Sequence, residues 1–391
     1  MVFNRIGLKS RNILLMYISC IISGLIFFLP VRALYYESHL FTLSNVALIF
    51  AIEAIAFAVF EVPSGAIADL FGRKKTLIVS FFMTFVGFTF LYIGGSMIFF
   101  FLFALTNSFG RSLRSGTDSA LIYDTLKAEK KERYFKKVIG NYHALWPIGA
   151  SIGSIIGGHL AGISLSLTVL FSLVPVSISF VLSLFLQEPE YEKEGHRNIF
   201  KHMIESSRLV LRNRQILILV IAGFFLWGMG ECLHLLNPVF FEFKGVPLMY
   251  FGYISAAVFG LSSLGHYFSH AVSERIGNKL TLILAATISP VITIIATLTG
   301  HLTAAIIFSL SSIFFGLRNP VVHHLLNSEV SSSKRATVIS MYNFTGQIGI
   351  AILIPFVGWL ADFYNINTAF KISAAIMFIV PALLFFIKDR K

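Results

Sequence analysis

The sequence predicts an all-α membrane protein of twelve transmembrane helices built as two six-helix repeats. Three observations carry this. The 391 residues are 56% hydrophobic and 13% charged, with 41 Phe and a mean hydropathy of +0.80, far from the balance of a water-soluble globular chain. Apolar runs of about 20 residues, the length a helix needs to cross a bilayer, recur along the whole chain, and none alternates like a barrel strand. One polar loop sequence returns 205 residues later with its residue types in register.

The predicted spans cover 13–34, 43–64, 76–95, 97–121, 138–160, 165–187, 216–241, 250–272, 279–299, 302–326, 337–361 and 368–387. The first follows Arg5, Lys9 and Arg11, as a signal peptide would, but its apolar run is too long and no small-x-small cleavage site is evident. Cys20 and Cys232 both fall inside spans, so neither a disulfide framework nor a CxxC metal site is expected. The net charge of +12 reflects topology. With the N-terminus inside, 25 of the 31 Lys and Arg are cytoplasmic, the outer side gets only Arg32, Lys244 and Lys371, and Arg111, Arg114 and Arg318 lie deeper within spans. This asymmetry predicts both termini in the cytoplasm, with lipid and not nucleic acid around the chain, and a bacterial inner membrane is the expected location.

The one long polar break, Glu188 to Gln215, divides the chain into an N-terminal bundle (1–187), a cytoplasmic linker (188–215) and a C-terminal bundle (216–391). Within it Ile199, Phe200, Met203 and Ile204 recur at helical spacing opposite Lys201, His202 and Arg208, the pattern of a basic helix on the inner leaflet. The repeated loop is GAIADLFGRKKTL (65–77), which aligns without gaps on HAVSERIGNKLTL (270–282), pairing Asp69 with Glu274, Gly72 with Gly277 and Lys74 with Lys279. The same offset places Asp118 on His323 and Asp124 on Glu329. Repeated bundles hold a substrate near the membrane midplane and alternate access by rocking, so the organisation points to a transporter.

The chain resembles the major facilitator superfamily over essentially its full length. Gly65, Asp69, Gly72, Arg73, Lys74 and Leu77 fit that family's G-x-L-a-D-r-x-G-r-k-x-x-l signature between the second and third spans, with Ile67 and Leu70 as departures. The resemblance implies a latch that holds the cytoplasmic side closed in the outward-facing state. Glycines there permit a tight turn and close helix approach, and Asp69 can cap a helix start and attract neighbouring cations. In the fifth span Gly140, Gly149, Gly153, Gly157 and Gly158 occupy the five glycine positions of the family's antiporter signature, with Ser154 in place of its proline. Such spacing equally makes a small-residue packing seam. Gly24 and Pro30-Val31 resemble an element of twelve-helix drug exporters, with Ala33 replacing its last proline.

The fourth span lacks the family's R-x-x-q-G. On a continuous helix Arg111, Arg114 and Asp118 share one face, forming a charged stripe with an i, i+4 Arg114–Asp118 pair that should face the bundle interior. The other intramembrane polar groups are Glu53, Glu231 and, on the tenth span, Arg318, Asn319, His323 and Asn327. Spans one, four, seven and ten line the cavity in the resembled fold, which favours Glu231 and the tenth span over Glu53. Glu231, Asp118 and Glu53 are the proton-coupling candidates, with Glu231 favoured for its mid-span position, and Arg111, Arg114, Arg318 and His323 are gate or cavity charges. His266, His270, His323 and His324 lack the further ligands of a metal centre, and no GxxxxGK[ST] loop offers nucleotide coupling. The expectation is a monomeric, cofactor-free secondary transporter, not an enzyme, that exports a small amphipathic molecule in exchange for protons. The alternative is a proton-coupled importer or facilitator of a polar nutrient, whose cavity should be richer in hydrogen-bonding groups. Of another class, an intramembrane enzyme would need converging catalytic carboxylates or histidines, and a sensor a soluble domain to relay its signal, and the sequence offers neither.

Overall fold

The computed structural model describes residues 10–189, 210–330 and 334–388, so the basic amphipathic segment around Ile199 to Arg208 lies outside the described residues. The described chain is helical, and twelve helical spans run through it. Ten segments are long and apolar enough to cross a membrane by length and composition, beginning with Arg11–Leu40 and ending with Ile366–Leu384. Met97–Arg114 and Met249–Ile276 complete the twelve.

Two spans predicted as continuous are broken, each for a local reason. The first consists of a helix over Arg11–Gly24, a 3-10 turn over Leu29–Val31 and a second helix over Arg32–Leu40. Pro30 lacks an N–H and restricts the residue before it, which ends regular helix there. The freed amides of Phe27 and Phe28 donate to Ser172 Oγ of the sixth span, at 2.9 and 3.4 Å. Inside a bilayer such a break survives because a neighbouring span supplies the acceptor. The fourth span stops at Arg114, passes through Gly116 at φ +80°, and resumes as a separate helix over Thr117–Ala128. The corresponding tenth span runs unbroken over His301–Ser328, so the repeats differ where the charges lie.

The loop after the second span is shorter than predicted. That helix continues to Phe71 and the next starts at Arg73, leaving Gly72 alone as the turn. Gly72 has φ +95°, ψ 156° and its repeat partner Gly277 has φ +86°, ψ 156°, a left-handed setting that favours glycine. The same turn is thus built twice, as the sequence repeat implies.

The N-terminal set of spans (through Leu184) and the C-terminal set (from Arg214) meet at the end of the bundle opposite these turns. Asp362, in the eleventh span, accepts hydrogen bonds from the Leu43 and Ser44 amides at the start of the second span, both at 2.8 Å. In the fifth span Gly158 abuts Gly252 of the eighth, where a Cβ would stand 2.8 Å from the Gly252 nitrogen, and His159 bonds Tyr253 at 3.0 Å. At the Gly72 end the described bonds of Asn12 to Gln187 and Thr125, and of Gln215 to Lys388, stay within one set.

Candidate functional site

Between the two sets lies a cavity of about 630 Å³, within the range of small-molecule sites, lined from both halves. Eleven of its lining residues are Phe or Trp, and it holds six charged groups, Arg32, Glu53, Arg111, Arg114, Glu231 and Arg318.

Arg32 corrects the sequence reading most. Charge counting puts it on the outer side at the end of the first span, yet Pro30 turns the chain so that the following helix carries Arg32 into the cavity. Its guanidinium forms an ion pair with Glu53, and its Nε donates to Tyr36 Oη at 3.1 Å. Tyr36 Oη in turn donates to Glu53 Oε1 at 3.1 Å, and the guanidinium carbon sits 4.8 Å from the Phe50 ring centre. Glu53 is only 5% exposed. A lone carboxylate at that depth would be costly, and the guanidinium and phenol supply the charge and donors that offset it.

The fourth span places Asn107, Arg111 and Arg114 on its cavity face. Arg111 lies 5.1 Å from the Phe57 ring centre and Arg114 5.4 Å from that of Phe81. Neither hydrogen-bonds or pairs with a carboxylate among the described residues; cation–π contact is what holds them. The predicted stripe through Asp118 does not form. The break at Gly116 turns Asp118 away, and its carboxylate accepts from Tyr142 Oη at 3.0 Å and from the Ser119 amide at 2.7 Å, outside the cavity lining.

From the C-terminal set come Glu231 and Arg318. Glu231 lines the cavity on the seventh span, makes no hydrogen bond or ion pair among the described residues, and sits within electrostatic reach of both Arg111 and Arg318. Pro238, inside the same helix, leaves the carbonyl one turn back without its usual donor. Arg318 donates from Nη2 to the Leu226 carbonyl at 3.0 Å and lies 5.3 Å from the Phe315 ring centre. His323 is not in the lining; its ring packs 6.0 Å from that of Tyr342.

The motif loop also differs from the predicted latch. Asp69 belongs to the last turns of the second-span helix and pairs with Arg73 at 2.5 Å, while Arg73 reaches Asp124 at 3.4 Å. Lys74 gives its backbone amide to a carboxylate that the motif does not contain. The cap on the third span is Glu188, whose two oxygens accept from the Arg73 and Lys74 amides at 2.6 and 2.9 Å. An acid bound at a helix N-terminus is favoured by its unpaired amides and dipole. Gly72 is required by its φ and by Glu188, but a Cβ on Gly65 would meet nothing within 4 Å, so Gly65 makes no close approach.

The fifth-span glycines form a seam with the first span. A Cβ on Gly149, Gly153 or Gly157 would run into the backbone of Ile21, Leu25 and Ile26, or Phe27 respectively. Gly158 faces the eighth span instead, and Gly140 faces open space and does not share the seam.

A sequence model of the Major Facilitator Superfamily matches residues 12–352 and 245–391. The chain belongs to the major facilitator superfamily. Among curated relatives, the uncharacterized MFS-type transporter YxaM of Bacillus subtilis (strain 168) is 23% identical over 384 residues, covering 93% of this chain and 92% of that one. Among solved structures, the nucleoside transporter NupG superposes with a TM-score of 0.80 at 15% identity, covering 97% and 99% of the two chains. A D-xylose-proton symporter gives 0.75 at 13% identity over 97% and 98%. These likenesses establish the fold of this superfamily member, a multi-pass membrane transporter. The cavity residue that sequence reasoning missed, Arg32, had one available signal: a cation close after a proline within an apolar run, with Glu53 in the next span.

Proposed function

We propose that this protein is a proton-coupled secondary transporter that moves a small amphipathic molecule by alternating access, with Glu231 as the group that takes up and releases the proton. The observation that supports this is Glu231 itself. It is a carboxylate facing the cavity without a hydrogen-bond partner among the described residues, between cations contributed by both helix sets. Glu53 is committed to Arg32 and Tyr36, and Asp118 to Tyr142, which leaves neither as free to exchange protons. Positive-inside charge assigns the Gly72 end to the cytoplasm. On that assignment the bundle is closed outside and accessible from inside, and residues 1–187 and 216–391 rock as two bodies joined by the 188–215 linker. A single chain suffices for this cycle.

The cavity also bears on the choice between an exporter and a nutrient carrier. Asn107, His234, Asn237, Gln347 and several serines join the charged groups in its lining, the richness expected for a carrier of a molecule with a polar end. Export in exchange for protons is the second reading, and the glycine seam at Gly149, Gly153 and Gly157 favours it.

The test is transport in proteoliposomes, with substrates found by proton movement in energised vesicles across a chemical panel. Glu231→Gln should retain substrate-for-substrate exchange while pH-gradient-driven transport falls to background. Asp118→Asn should retain both. Gradient-driven transport surviving in Glu231→Gln would refute the assignment.

A further inference from the structure

The cavity's charges do not balance, and their imbalance names a substrate class. Arg32 is neutralised by Glu53. Within the lining, that leaves Arg111, Arg114 and Arg318 with the single carboxylate of Glu231, an excess of two positive charges when that carboxylate is ionised; just outside it, Glu61 also lies within electrostatic reach of Arg111. Uncompensated cations inside an apolar bundle are strongly disfavoured. The Phe57, Phe81 and Phe315 faces offset only part of this. Arg318 uses one donor on the Leu226 carbonyl, and a guanidinium has five. A cationic guest would meet three arginines and one acid.

Resting on the carrier reading above, we propose that the transported molecule is an amphipathic anion. Its carboxylate or phosphate is held by Arg111 and Arg318, and its apolar body lies against Trp146, Trp227 and Phe259, which line the same cavity. Planar guanidinium forks suit either oxyanion. The charged groups facing Glu231 across this cavity are Arg32, Glu53, Arg111, Arg114 and Arg318, with His234 as the remaining titratable neighbour. An anion bound to Arg111 and Arg318 takes from Glu231 the cations that favour its charged form. The anion and Glu231 thus compete for the same two cations, and the proton that Glu231 carries in the reading above crosses with the anion. This links the substrate class to co-transport and against exchange.

The experiment uses the full chain in detergent with Trp359→Phe, which removes the one tryptophan outside the cavity lining. Quenching of Trp146 and Trp227 is titrated with phenylacetate, phenyl phosphate, benzylamine and benzyl alcohol. The anions should bind at least about tenfold more tightly than the amine and the alcohol, and the tighter of the two anions identifies the oxyanion. Arg111→Gln and Arg318→Gln should each erase that preference, with Arg111→Lys recovering part of it. The series on unsubstituted arginines decides the matter even if a variant fails to fold. Benzylamine binding as tightly as phenylacetate, or neither anion binding at tens of millimolar, overturns the proposal. Because no gradient exists in detergent, anion preference accompanied by gradient-driven transport in Glu231→Gln would refute the coupling role alone. Gradient coupling without anion preference would refute this proposal alone.

Discussion

Substituting alanine along the fifth-span glycines offers a graded test of the seam, because the positions differ in how close the neighbouring backbone stands. At Gly157 a Cβ would lie 2.7 Å from the Phe27 carbonyl carbon and 3.0 Å from its Cα, with the carbonyl oxygen nearer still. Carbon atoms pack at roughly 3.5 to 4.0 Å, so the first and fifth spans must part by about an ångström. The obstacle is backbone and cannot rotate away, and it sits beside the break whose Phe27 amide is held by Ser172. Overpacking of this kind costs about 1–3 kcal/mol, and loss of the Phe27–Ser172 bond would add about 1 kcal/mol. Gly157→Ala should therefore destabilise by about 2–4 kcal/mol. Gly153→Ala, where the nearest atom is the Ile26 nitrogen at 2.9 Å, should cost about 1–2 kcal/mol. Gly140→Ala, with nothing within 4 Å, should stabilise by up to about 1 kcal/mol through helix propensity. Thermal unfolding of the purified variants in one detergent gives the order. If Gly157→Ala melts with the wild type, or Gly140→Ala melts below Gly157→Ala, the seam geometry is wrong.

The Arg32–Glu53 pair makes a second test. Glu53→Gln leaves a buried guanidinium unpaired and should destabilise by about 3–5 kcal/mol, whereas Arg32→Met with Glu53→Leu should recover most of that loss, read from melting curves as a double-mutant cycle. At the opposite gate, Asp362→Ala removes both acceptors from the Leu43 and Ser44 amides, about 2 kcal/mol of closure. Labelling of Ser255→Cys in the cavity by an impermeant maleimide from that side should accelerate by roughly thirtyfold at most, and unchanged labelling would show that Asp362 does not hold the gate.

Much of the fold is written in local sequence. Composition marks the spans, and the repeated loop points to a turn that recurs as Gly72 and Gly277 with nearly identical dihedrals. The site is less legible, for two physical reasons. Helical periodicity assumes an unbroken helix, so it puts Arg114 and Asp118 on one face although Gly116 separates them. Charge counting assumes that a cation at a span's end faces water, so it assigns Arg32 to the outer side although Pro30 and Glu53 draw it inward. Both errors concern residues next to a proline or glycine break, where side-chain direction depends on tertiary partners that spacing does not contain. Glu231 and Arg318 lie in the lining as the family resemblance implies for the seventh and tenth spans, whose helices run continuously through those positions.

Among the described residues, Glu188 and Asp362 each bind two amides at the start of a helix from another segment of the chain, and their placement separates contacts within one helix set from contacts between the sets. Glu188 holds the Arg73 and Lys74 amides within the N-terminal set. The bond survives rocking, because both partners travel together. It also ties Glu188, at the start of the linker, to the loop that holds Asp69 and Arg73. Asp362 makes the same chemistry between the sets, and the rocking cycle proposed above would break it at each turn. An exposed acid on two amides suits a contact that must be remade repeatedly. Its bonds are directional enough to set one closed geometry, yet water can replace them when the gate opens. The neighbouring Gly158–Gly252 contact adds shape without side chains that would interlock. The closed gate is thereby specific and shallow in energy, as a transporter that must visit both states requires.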